Sequence, residues 1–197
     1  MTLQPVPAQT DSEYSAISSN QCSWCAAEFA LKRRDLIKTW MSKEYKGFLE
    51  LYTTCMEIGS RKRKELGRFL YGENIDSVNL LNHYEKELTI VHKYTVQLHT
   101  DPEFPTILHP DLKSEFYTRT YVDYTPLTTI LKQMPFSSYL LVSRHGQSLC
   151  VIRAHSDSYL ILDSHLHQAR MTSEKETTNH ILMDNGGHTH VTLLFGV

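Results

Sequence analysis

The chain has 197 residues, 41% of them hydrophobic, with eleven Tyr and seven Phe. That is enough for one domain to bury a core without metal or disulfide staples. A net charge of −2 and a pI near 6.6 give no bulk attraction to nucleic acid or an anionic membrane, and four cysteines are too few for a secreted disulfide scaffold.

Residues 1–21 read as an extended, polar segment, with Pro5, Pro7 and a Ser-rich end at Ser15, Ser18 and Ser19. No apolar run opens the chain, so a signal peptide is not expected, and no later window is long and apolar enough to span a bilayer. From Cys22 to about Ser42 the residues suit a helix, through Ala26, Ala27, Phe29, Leu36, Ile37 and Trp40. Lys46 to Ile58 presents a broad apolar face at helical spacing, and Gly59-Ser60 is read as its stop. Further helix is expected over Lys64–Leu70 and Ile75–Val91. The run Arg61-Lys62-Arg63-Lys64 reads as a solvated helix face.

The texture then changes. Asp101-Pro102, Phe104-Pro105 and His109-Pro110 mark a loop-rich connector, since each Pro disfavours helix at the residue before it. A short helix is expected from about Thr125 to Gln133, with Pro126 near its first position. After Pro135 the pattern is β. Strands are expected at Ser138–Ser143, Ser148–Ala154, Ser158–His165 and Thr189–Phe195, separated by turns at His145-Gly146-Gln147, His155-Ser156-Asp157 and Asn185-Gly186-Gly187. The plan is α+β in one domain: a helical lobe over 22–95 packed on a mainly antiparallel sheet over 136–197.

Two short constellations carry chemistry. If the third strand reaches His165, Asp163 and His165 project from the same face, since strand side chains alternate. A carboxylate beside an imidazole fixes its tautomer and stabilises its charged form, as a general base requires. At the other end, Cys22 sits where a polar segment becomes a helix. Unpaired N–H groups and the positive end of the helix dipole favour a thiolate there. A Cys opening an N-terminal helix, with a His on a later sheet, is the papain-like order. Cys25, one helical turn on, is a second candidate nucleophile, and His167 a second candidate base.

The pattern resembles the ubiquitin-specific protease domain of herpesvirus large tegument proteins and the tegument-like deubiquitinases found outside viruses. The residues that carry the resemblance are Gln21-Cys22, the run Leu160-Ile161-Leu162-Asp163-Ser164-His165, and Gln9, thirteen positions before Cys22. It covers the two ends of the chain and leaves Lys46 to Asp123 unmatched. It implies a papain-like fold and a cysteine-type deubiquitinase. In that class Cys22 would be the nucleophile, His165 the base, Asp163 its orienting partner and Gln9 an oxyanion-hole donor. It further implies ubiquitin as partner, no cofactor, metal, nucleic acid or membrane, a monomer, and a cytoplasmic working place such as the cytosol of a host cell.

Other readings stay open on the residues alone. Cys22-x-x-Cys25 has zinc-ligand spacing, and His165, His167, His188 and His190 form two H-x-H pairs, but no carboxylate-rich group accompanies them. No βαβ pattern supports a thioredoxin-like role for the Cys pair. A cysteine protease or acyltransferase acting on another substrate, such as a ubiquitin-like modifier, and a non-catalytic interaction module remain as alternatives.

Overall fold

The computed structural model describes residues 2–8, 21–66, 83–97, 106–107, 127–144, 147–182 and 190–197. The elements run β1 (Thr2–Pro5), α1 (Cys22–Leu31), α2 (Arg33–Met41), α3 (Tyr45–Leu66), β2 (Ile90–Gln97), β3 (Thr106–Ile107), α4 (Leu127–Gln133), β4 (Tyr139–Arg144), β5 (Gln147–His155), β6 (Ser158–Leu162), β7 (Gln168–Thr172), α5 (Glu174–Leu182) and β8 (His190–Gly196). The strands form one sheet in the order β1-β7-β6-β5-β4-β8-β2-β3, and every pairing is antiparallel. The α+β plan holds.

Consecutive residues of the central strands are buried: Leu140, Leu141 and Val142, then Leu149, Cys150, Val151 and Ile152. A strand with no polar face must be covered on both sides. Leu141, Cys150, Ile152, Leu160, Leu162 and Leu194 pack with Trp24, Phe29, Tyr52 and Met56 of α1 and α3. Their alternates, Leu140, Val142, Leu149, Val151, Ile161 and Leu193, pack with Leu127 and Leu131 of α4 and Ile181 of α5. The helical layer anticipated from the sequence covers one face, and a second, smaller one covers the other.

In α1 every residue from Cys22 to Ala30 is buried, the polar Ser23 and Glu28 included. It lies so close to α3 that a Cβ on Gly59 would sit 2.9 Å from the Cys25 nitrogen. Gly59-Ser60 therefore does not stop the helix, as the sequence suggested. The glycine lets α3 run past α1, and α3 continues to Leu66. The single helix expected to Ser42 breaks at Lys32, whose φ of −93° and ψ of 10° separate α1 from α2. The basic run is not uniformly solvated. Arg61 is exposed beside Glu65, but Arg63 is buried, and Lys62 pairs with the buried carboxylate of Glu28, which also accepts from Tyr84 Oη at 2.8 Å.

The helix expected through Val91 gives way to a turn at Tyr84–Leu88 and then to β2. Residues 67–70 and 75–82 of the expected helices, the Pro-rich connector apart from β3, and the turns at 145–146 and 185–187 lie outside the described residues. The strand expected to reach His165 ends at Leu162. Strands β1 and β7 and helix α5 add to the anticipated elements.

Candidate active site

Cys22 is the first residue of α1, preceded by Gln21 in the capping position. Gln21 makes no side-chain cap; its buried Oε1 instead accepts from Ser60 Oγ of α3 at 2.7 Å. On the sheet side, Ser23 Oγ and Ser148 Oγ of β5 share a hydrogen bond of 2.9 Å. The first turn of α1 is thus tied to both neighbours. The first N–H groups of a helix have no partner within it and point towards whatever lies at that end. Cys22 is only 2% exposed.

Cys25 is a different kind of group. It is fully buried against α3, and burial, then the charges of Cys22, Cys55 and Glu28, push its thiol well above the ordinary cysteine range. Burial, with the Glu28 charge, also raises Cys55, to about 12. A thiol held this far up supplies almost no thiolate at neutral pH.

Asp163 and His165 are brought together, but not by strand alternation. Both lie past the end of β6, in a turn closed by Leu166 N–H donating to the Asp163 carbonyl at 3.1 Å. Asp163 Oδ1 accepts the His165 backbone N–H at 3.0 Å and the ring Nδ1–H at 2.7 Å. This is the Asx-turn habit of aspartate, accepting from the backbone two residues on. The same turn that reverses the chain aligns the imidazole. Tyr52 Oη of α3 donates to the Asp163 carbonyl at 3.3 Å and anchors the turn from the helical side.

The charges follow. Burial alone would raise Asp163, but the hydrogen bond from His165, the facing ring of His180 and the His165 charge hold it well below the usual carboxylate range. Burial alone would lower His165. Hydrogen bonds to Asp163 and to the Cys22 thiol, and the charges of both, outweigh it and raise the imidazole to about 9. Cys22 and His165, 143 positions apart in sequence, are therefore in contact. His167 is exposed, and its carbonyl accepts from Val6 N–H at 3.0 Å.

One residue near Asp163 was not legible in the sequence. His180 of α5 is buried, with Nε2 3.5 Å from Asp163 Oδ2. The signal for its helix is present as Ser173-x-x-Glu176, a capping box in which Ser173 N–H donates to Glu176 Oε2 and Glu176 N–H to Ser173 Oγ. Nothing in spacing or residue type links His180 to Asp163. Gln9 lies outside the described residues. The chain just before it is packed, with Val6 and Ala8 buried. Among the described residues no group of three or more His, Cys, Asp or Glu is placed to hold a metal ion, and no helix is long and apolar enough to cross a membrane.

No protein-family model matches the chain, and no curated protein matches it in sequence. Among solved structures, the fold is similar to that of the ubiquitin-specific protease encoded by murine cytomegalovirus tegument protein M48, determined in complex with a ubiquitin-based suicide substrate. The TM-score is 0.54 at 12% identity, over all of this chain and 85% of that one. At that identity the likeness is one of fold.

Proposed function

We propose that this chain is a papain-like cysteine-type deubiquitinase, hydrolysing the isopeptide bond at the C-terminus of ubiquitin. The observation that carries the reading is a single imidazole with two partners: His165 is bonded to Asp163 through Nδ1 at 2.7 Å and is in hydrogen-bond contact with the Cys22 thiol. A nucleophile, a base and an orienting carboxylate in series is the arrangement of nucleophilic acyl transfer. The solved neighbour, held with a ubiquitin-based suicide substrate, supports ubiquitin as the partner.

In this mechanism His165 takes the proton of Cys22, and the sulfur attacks the carbonyl carbon of the terminal glycine of ubiquitin. The bond to the lysine nitrogen breaks as His165 returns the proton to the leaving amine. A thioester between Cys22 and ubiquitin remains. Water, deprotonated by His165, then attacks it, and the thiol and the free carboxyl terminus are released. Asp163 keeps the imidazole in the tautomer and orientation both steps need. The Cys22 backbone N–H and the Gln9 side chain stabilise the oxyanion. The site needs no metal or cofactor, and the chain acts as a monomer in the cytoplasm, including the cytosol of a host cell.

A ubiquitin probe bearing an electrophile at its C-terminus tests this. The wild type is expected to gain the mass of one ubiquitin, and Cys22→Ala none, with Cys25→Ala still labelled. No adduct on the folded wild type would overturn the reading. Labelling by a ubiquitin-like probe in place of ubiquitin would move the substrate, not the chemistry.

A further inference from the structure

Asp163 has two carboxylate oxygens, and the catalytic turn uses one. Oδ1 accepts both the backbone and the ring N–H of His165. Oδ2 faces Nε2 of His180 at 3.5 Å. The two atoms face each other beyond hydrogen-bond length, and catalytic contacts often tighten only when substrate binds.

His180 reaches Asp163 from a separate element. Helix α5 packs on the sheet face opposite α1, through Ile181. Its start is fixed by the Ser173–Glu176 capping box and by a 2.8 Å hydrogen bond between Thr172 Oγ1 and Thr177 Oγ1. Asp163 is therefore gripped from both faces: Tyr52 of α3 holds its carbonyl, and α5 presents a ring nitrogen to its second oxygen. A carboxylate held only through Oδ1 can rotate about its last side-chain bond, which has a broad minimum. One held at both oxygens keeps its plane, and with it the plane of the imidazole.

We infer that His180 is a positioning residue of this site, whose Nε2–H pins Oδ2 of Asp163 so that Oδ1 stays aligned with His165. The role rests on the reading of Cys22, His165 and Asp163 as a catalytic triad. The bland alternative is a core histidine that only fills space between α5 and the sheet.

Two amide variants separate these. The side-chain nitrogen of His180→Gln reaches about as far as Nε2; that of His180→Asn stops about where Nδ1 does. For each, three quantities are measured: the rate of Cys22 alkylation by iodoacetamide at neutral pH, kcat and KM on a ubiquitin substrate, and the low-field proton resonance of His165 Nδ1–H. His180→Asn is expected to slow alkylation and kcat by about 10–100-fold, the loss typical when the partner that orients a metal-bound imidazole is removed. KM should hold and the resonance should move. His180→Gln should recover most of the rate and restore the resonance. Should His180→Asn not fold, His180→Leu against His180→Gln makes the same comparison. Wild-type alkylation with an unmoved resonance in the Asn or Leu variant overturns the inference. Equal losses in the Gln and Asn variants overturn it too, because that is what a packing role produces. If alkylation depends on His180 while the wild type does not hydrolyse ubiquitin, the positioning role stands and the deubiquitinase reading falls.

Discussion

The backbone N–H of Val6 donates to the carbonyl of His167 at 3.0 Å, tying the N-terminal segment to the turn that carries Asp163 and His165. Gln9, the proposed oxyanion donor, follows three residues later, and Ala8 just before it is fully buried. Losing one oxyanion donor typically costs about 10²–10³ in turnover. Gln9→Ala is expected to lower kcat by a factor of that order with KM little changed. Deleting residues through Gln9 should cost at least as much, since β1 and its pairing with β7 are also removed. Full-rate hydrolysis by either protein would leave the oxyanion to the Cys22 backbone N–H alone.

Asp163→Asn removes the charge and disturbs the tautomer of His165 while keeping the shape of the turn. In a serine triad the corresponding change costs about 10⁴ in kcat. A loss of two to four orders of magnitude is expected here, about 10²–10⁴, with ubiquitin affinity nearly intact. His165→Ala should be at least as damaging, whereas His167→Ala should be mild. A KM effect without a kcat effect in Asp163→Asn would make the carboxylate a binding group instead.

The raised imidazole of His165 and the depressed carboxyl of Asp163 limit stability from opposite ends of the pH range. A His whose folded value lies above the unfolded one, near 6.5, contributes stability that is complete below about pH 6.5 and gone once pH passes about 9. Asp163 is depressed, so its contribution is present above about pH 4 and lost as acid reprotonates it. Thermal midpoints should therefore decline from pH 6.5 to 9 in the wild type, and decline less in His165→Ala. Turnover of an amide-linked ubiquitin substrate should fall as pH rises through about 9, when the proton for the leaving amine is lost. An activity that is flat to pH 10 would show that His165 is not the acid.

Gly59 is where α3 passes behind α1, the helix that Cys22 opens. A Cβ there would meet the backbone of Trp24 and Cys25 at 2.9–3.0 Å, and backbone cannot yield as a flexible side-chain end can. Overpacking of this kind costs about 1–3 kcal/mol. Gly59→Ala should lower the thermal midpoint and also slow Cys22 labelling, because the strain falls on the first turn of α1. Lost stability with labelling unchanged would show that the helix shifts without moving its end.

Much of this was legible in the sequence because the signals were local. Leu140–Val142, Leu149–Ile152 and Leu160–Leu162 are apolar runs between turn residues, and they became β4, β5 and β6. The Asp163–His165 pair was legible as a pair, though an Asx turn rather than a strand aligns it. What escaped was decided by distant partners. Strand β7 is short and half-buried, and it exists because β1 and β6 flank it. Strand β2, with Ile90, Val91 and Tyr94, continued an apparent helical spacing, and its pairing with β8 overrode that. Helix α5 carries Thr177, Thr178 and Asn179, poor helix formers, so its capping box was the better signal.

The strand order also dictates when the molecule can first become whole. Strand β8, the last in sequence, lies between β4 and β2 and is paired with both. During synthesis, β2 is made long before the strand that will join it to the rest of the sheet, and Cys22 waits in the same way for Asp163 and His165. Domains rich in such long-range pairings fold slowly, and only after most of the chain has emerged. A nascent chain therefore carries Cys22 through most of its elongation before His165 exists to meet it.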